Sequence, residues 1–129
     1  MGQRSHPLRW SGFAVLALVA ALGACSKAAS PVTSAPDGNA DRGRALLQQY
    51  GCAYCHVIPG VATARGTFGP PLENVGKRVY LAGTLPNSRA NMAAWIRTPQ
   101  AIKPGTAMLD LHVTETDARD MVAYLYRLR

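Results

Sequence analysis

Acidic residues are scarce in this chain: seven Asp and Glu stand against fourteen Lys and Arg among 129 residues. That imbalance suits an acidic protein face or anionic lipid. No basic run with interleaved aromatics occurs, however, which argues against nucleic acid as a partner. Period-two alternation is missing, so no strand signal rises above background, and no internal repeat is present. The one long apolar run, Phe13 to Ala24, is too short for a confident membrane span. Cysteine occurs three times, an odd number that leaves one thiol unmatched in any pairing. The length fits one domain and is tight for two.

What the chain does have is a five-residue stretch, Cys52-Ala53-Tyr54-Cys55-His56. Two thiols three positions apart with a histidine directly behind the second form the attachment motif for c-type haem. The spacing has a chemical reason. Cysteines one helical turn apart can each form a thioether to one porphyrin vinyl group, and the adjacent histidine then lies under the iron as proximal ligand. Zinc would need four ligands, and the mature chain offers Cys52, Cys55, His56 and His112 with no second paired knuckle. A thioredoxin-like pair belongs in a strand–helix pattern that is missing here. A structural disulfide leaves His56 without a role.

The third cysteine has a different setting. Arg4 and Arg9 make a basic start, the apolar run follows, and it closes on Leu22-Gly23-Ala24-Cys25, which resembles a bacterial lipobox. On this reading residues 1–24 are a lipoprotein signal peptide and Cys25 becomes the lipidated N-terminus. Residues 25–38, rich in Ala, Ser, Pro and Thr, form a flexible linker, and residues 39–129 form the folded domain. Several acyl chains at about 0.8 kcal/mol per buried methylene hold such a protein on a membrane. Loss of the leader removes Arg4 and Arg9, so the mature chain keeps twelve of its fourteen basic residues against seven acidic ones.

Within the domain, Asn39 caps a helix expected to run to about Tyr50, with Gly43, Leu46, Leu47 and Tyr50 on one stripe. Gly51 breaks it. Val57 to Gly69 reads as loop, Leu72 to Val75 as a short helical turn, and Val79 to Leu85 as irregular. A second helix begins at Asn87 or Ser88, carries Met92, Trp95 and Ile96 on one face and ends before Pro99. Gln100 to Leu111 reads as loop. The last helix starts at Thr114, with Asp117 three residues on, and buries Ala118, Met121, Val122, Leu125 and Leu128. Arg127 and Arg129 then favour its C-terminal dipole. The fold expected is a small all-α domain.

Candidates for the sixth iron ligand are Met92, Met108, Met121 and His112. Met92 and Met121 lie on apolar helix stripes, where methionine ordinarily fills core. Met108 lies in a Pro/Gly loop outside any helical period and is the preferred ligand; His112 is its nearest rival.

The stretches GRALLQQYGCAYCH, GPPLENVGKR, LPNSRANMAAWIRTPQAIKPGTAM and TETDARDMVAYLYRL together resemble the class I, monohaem cytochromes c. The similarity is to the bacterial kind found as a cytochrome c domain fused to terminal oxidase subunit II. It covers roughly Ala40 to Leu128. The resemblance implies three to five helices wrapped around one covalent haem c, with the first and last helices crossing through Gly43 and Leu47 against Tyr124 and Leu125. It implies thioether attachment at Cys52 and Cys55 and axial ligation by His56 and Met108. Pro70 would accept the proximal histidine's other N–H, Leu72 would pack on the haem face, and Arg78 and Trp95 would hold a propionate. Two departures stand out. Leu109 follows Met108 where the family commonly has proline, and the Gly43-to-Cys52 spacing is one residue longer than in many relatives.

The function implied is single-electron transfer in a respiratory chain by a His/Met-ligated haem, with no residue acting as acid, base or nucleophile. The expected protein is a monomer held by lipid at the periplasmic face of a bacterial membrane. Its redox partners would be a dehydrogenase or cytochrome bc-type complex upstream and a terminal oxidase downstream. The alternatives are a fixed haem-bearing subunit of an oxidase or dehydrogenase complex, and a haem enzyme or gas sensor with an open iron site.

Overall fold

The computed structural model describes residues 1–2 and 37–129. The expected leader from residue 3 on, Cys25 and all but the last two residues of the expected linker lie outside the described residues. Asn39 caps the first helix as its sequence position predicts. Its side-chain oxygen accepts hydrogen bonds from the backbone N–H groups of Asp41 (3.1 Å) and Arg42 (3.0 Å). Helix α1 then runs over Ala40–Gln49 and buries Ala40, Gly43, Leu46 and Leu47. A single 3-10 turn, Cys52–Tyr54, follows Gly51.

Helix α2 spans Arg89–Arg97, and its cap is Ser88, whose hydroxyl accepts from the Asn91 N–H at 3.1 Å. Asn87 has a different task. Its amide donates to the carbonyls of Val75 (2.9 Å) and Arg78 (2.7 Å), and its oxygen accepts from the Tyr126 hydroxyl (3.0 Å). Pro99 ends α2 but does not leave a loop. Proline suits the first position of a helix, and the four-residue α3, Pro99–Ile102, begins there, inside the stretch expected as loop from Gln100. Helix α4 spans Glu115–Leu125, with the Thr114 hydroxyl accepting from the Asp117 N–H at 3.1 Å. It closes earlier than its apolar stripe suggests. Leu128 is only half-buried, and Arg127 and Arg129 lie past the last turn.

Two further expectations shift. The helical turn placed at Leu72–Val75 forms later, as a 3-10 turn over Val75–Lys77. The irregular stretch contains a minimal antiparallel hairpin, with β1 (Tyr80–Leu81) paired to β2 (Leu85–Pro86). Ala82 and Gly83 both have positive φ, 52° and 77°, as a primed hairpin turn demands. Two-residue strands are too short for alternation to register in sequence. The domain nonetheless remains all-α in class.

The core is set by the crossing of α1 and α4. A Cβ at Gly43 would overlap the Asp120 carbonyl and the Met121 amide, so this glycine lets the two backbones touch. The crossing therefore meets α4 one turn before the expected Tyr124–Leu125. Charged groups fix that register. Arg42 forks onto Asp117 and Asp120. The Asn39 N–H donates to Asp120 Oδ1 (2.7 Å), and the Tyr50 hydroxyl donates to Asp117 Oδ2 (2.7 Å). Burial alone would raise the Asp117 carboxyl, but hydrogen bonds from Tyr50 and Arg42, with the guanidinium charge, hold it below the usual carboxylate range. The same bond to Asp117, then burial, pushes the Tyr50 phenol up. Leu46, Leu47, Met92, Ile96, Met121 and Leu125 form one cluster that also takes in Ile58, Val61 and Ala64. The last three anchor the 57–69 loop, through i,i+3 turns invisible to a helix or strand template. Among the described residues no helix is long and apolar enough to cross a membrane.

Candidate functional site

The 3-10 turn after α1 sets the attachment motif. The Cys55 and His56 N–H groups both donate to the Cys52 carbonyl, at 3.2 and 3.0 Å. Both thiols are free. Cys52 is half-buried against the core cluster and Cys55 is exposed. Burial pushes the Cys52 thiol up, with the neighbouring Cys55 adding to the effect. That is the reverse of the depressed thiol that drives CxxC redox exchange. Among the described residues no three His, Cys, Asp or Glu side chains gather as a metal cluster.

His56 is oriented by the segment that follows the loop. Its Nδ1 lies 2.7 Å from the Pro70 carbonyl oxygen. A carbonyl can only accept, so Nδ1 carries a proton, and in the neutral imidazole the lone pair is on Nε2. The chain reaches this position because the Gly69 N–H donates to the Cys55 carbonyl at 2.7 Å and the Leu72 N–H to the Val57 carbonyl at 2.8 Å. A Cβ at Gly69 would run into the imidazole. Glycine is required for the backbone to pass over the ring.

The remaining candidates divide into two groups. Leu72 and Met108 are half-buried and pack, like Cys52, against the common core. Met92 and Met121 are fully buried, as core methionines should be. His112 is exposed near Asp110, outside the core. Trp95 does not follow Met92 and Ile96 inward; it stays half-exposed and outside the core cluster. Arg78 donates to the Pro71 carbonyl and, at 3.3 Å, to the Glu73 carbonyl. It thus braces the backbone just past Pro70, a contact the sequence reading missed.

Gln100 was also missed. From α3 its amide nitrogen donates to the carbonyls of Thr106 (2.7 Å) and Met108 (3.0 Å), while its oxygen accepts from the Gly105 N–H (3.2 Å). The sequence signal available was an amide side chain just inside a proline-started turn, followed by a Gly-containing loop.

These residues fit a covalently held haem. Two unpaired thiols stand one turn apart beside an imidazole with Nε2 free, and a thioether faces the same core. Tyr54, Phe68 and Leu109, each beside a candidate residue in the chain, leave apolar surface exposed, Phe68 by 92%, which an apolar group seated there would cover.

A family model described as cytochrome c matches residues 40–129. The cytochrome c oxidase subunit 2 of Alkalihalophilus pseudofirmus is 37% identical over 91 residues, covering 70% of this chain and 26% of its own length. That of Bacillus sp. (strain PS3) is 30% identical over 106 residues, covering 79% and 29%. That of Bacillus subtilis is 29% identical over 89 residues, covering 67% and 25%. The chain spans roughly a quarter of the length of these curated relatives.

Proposed function

Because the chain belongs to the cytochrome c family, whose cofactor is covalent haem c and whose work is haem-based electron transfer, we propose that residues 39–129 relay single electrons in a bacterial respiratory chain. The observation that carries the assignment of parts is the 2.7 Å approach of His56 Nδ1 to the Pro70 carbonyl. It fixes the tautomer that leaves Nε2 available and makes the imidazole a stronger donor. Cys52 and Cys55 would attach the macrocycle, His56 and Met108 would supply the axial pair, Leu72 would pack on it, and Trp95 with Arg78 would line its polar edge. When bound, haem supplies a one-electron couple whose potential a His/Met pair raises. With His56 and Met108 both holding the iron, no position would be left for a substrate and no side chain would need to move a proton.

The oxidised protein should show a methionine-to-iron charge-transfer band, with no carbon monoxide shift on reduction. Met108→Ala should abolish the band; its persistence would overturn the ligand assignment. The band's absence from the wild type would favour an open iron instead.

The curated relatives are oxidase subunits, which supports a second reading: a fixed subunit of a terminal oxidase rather than a free carrier fed by a dehydrogenase or bc-type complex. Native sizing after membrane extraction separates the two, since a free carrier migrates alone. The lipobox-like sequence ending at Cys25 supports attachment through lipid at the periplasmic face. Mass spectrometry of the mature N-terminus tests it: an unmodified Cys25 would refute the anchor.

A further inference from the structure

We propose that Gln100 is the positioning residue of the distal loop, its carboxamide holding residues 105–108 in the shape from which Met108 meets iron. The proposal rests on Met108 as axial ligand. The geometry is that of a loop wound around one side chain. Nε2 donates to the Thr106 and Met108 carbonyls, 2.7 and 3.0 Å away, and Oε1 accepts from the Gly105 N–H at 3.2 Å. Both amide hydrogens are used, and only this orientation of the carboxamide satisfies all three partners.

The anchor is firm. Gln100 follows Pro99, one of the fully buried side chains, on α3. The loop's other ties do not reach the Met108 carbonyl. The Thr106 N–H donates to the Lys103 carbonyl at 3.1 Å, and the Met108 N–H reaches the Thr106 hydroxyl at only 3.4 Å. Lys103 Nζ donates to the Ala82 carbonyl at 3.1 Å, at the loop's near end. Gly105 has φ +78° and nothing within 4 Å of a Cβ position, so packing does not hold it. On the far side Leu109 is 66% exposed, and its side chain does not pin Met108 in place. Nothing else among the described contacts ties the Met108 carbonyl to a helix. Loss of the carboxamide therefore lets the methionine swing off more often, and an external ligand competes better for its place.

The test uses the haem-loaded full chain as wild type, Gln100→Ala, Gln100→Glu and a surface control, Gln48→Ala, on the outer side of α1. Imidazole titration of the oxidised protein reads displacement of the methionine, and hydrogen exchange at the Gly105 and Met108 amides reads the loop itself. In Q100A half-saturation should come at about tenfold lower imidazole, and both amides should exchange about tenfold faster, as the loss of a loop-closing hydrogen bond implies. Q48A should match wild type in both. Q100E keeps the acceptor for Gly105 but loses its donors once ionised. Relative to wild type, its charge-transfer band should weaken reversibly as pH rises through the carboxyl titration. A Q100E band that tracks wild type at every pH refutes the clamp even if Q100A does not fold.

Wild-type exchange rates in Q100A overturn the clamp. Faster exchange with wild-type imidazole affinity overturns its coupling to ligation. A wild-type protein without the band would instead defeat Met108 as ligand, while the exchange comparison still decides the clamp.

Discussion

Gly43→Ala sets two known effects against each other at a single atom. In an exposed helix interior the change would stabilise by about 1 kcal/mol, because alanine is the better helix former. At this position the new methyl group would overlap the Asp120 carbonyl and the Met121 amide, both backbone. Backbone cannot rotate away as a side chain can, so α1 and α4 must separate along a seam that holds Leu47 and Met121, both essentially fully buried. Overpacking of this kind costs about 1–3 kcal/mol, and occasionally more. With no flexible neighbour to yield, we expect the upper end. The net loss is then about 2 kcal/mol, out of a total stability of roughly 5–15 kcal/mol for a domain. For a domain of this size that corresponds to a fall in Tm of about 8–16 °C. Thermal unfolding of the haem-loaded protein, followed by far-ultraviolet circular dichroism, provides the assay. Ala45→Gly on the exposed face of α1 is the companion measurement and should lose about 1 kcal/mol from propensity alone. A Gly43→Ala protein as stable as wild type, or more so, would refute the close crossing.

Asp117→Asn should cost about 1–3 kcal/mol at neutral pH by weakening the bonds from Arg42 and Tyr50. Because the folded carboxyl titrates below its ordinary value, its contribution is complete above about pH 3.9 and disappears as pH falls through the lower folded value. The stability gap between the two proteins should therefore narrow on acidification below about pH 4; denaturant titrations at stepped pH check this, and a constant gap would refute it. Ala82→Gly should stabilise, since a non-glycine residue at φ 52° costs about 1–2 kcal/mol, against roughly 0.5–1 kcal/mol for the freer unfolded chain. A small rise in Tm is the expected result, and any fall would show that the turn favours alanine.

The features legible in sequence were those written in neighbouring residues. Asn39, Ser88 and Thr114 announced their helices because a cap lies within three residues of the groups it satisfies. Cys52, Cys55 and His56 announced the cofactor because its chemistry dictates their spacing. What stayed hidden depends on groups brought together by folding. Arg42 carries no local signal of its task, because its partners lie 75 and 78 positions away. Asn87 reads as a cap and instead joins three segments. Trp95 shares its helix with Met92 and Ile96 but does not share their burial. The crossing lies a turn earlier than expected, at Asp120–Met121, where the Arg42 fork and the bare Gly43 backbone meet α4.

The fork from Arg42 to Asp117 and Asp120, with the Asn39–Asp120 bond spanning 81 positions, has a consequence for how the middle of the chain behaves. A domain fastened near both its ends is, for everything between, a closed ring. Residues 52–108, which hold the whole candidate site, are strung inside it. Part of the conformational freedom they would gain by detaching is removed in advance, as a crosslink would remove it. The ring also divides the domain into parts that need not open together. The distal loop can swing free and return while the clasp stays shut, at a fraction of the free energy of global unfolding. Ligand exchange and unfolding should then be separate events with separate temperature dependences, so the iron site can fail long before the fold does.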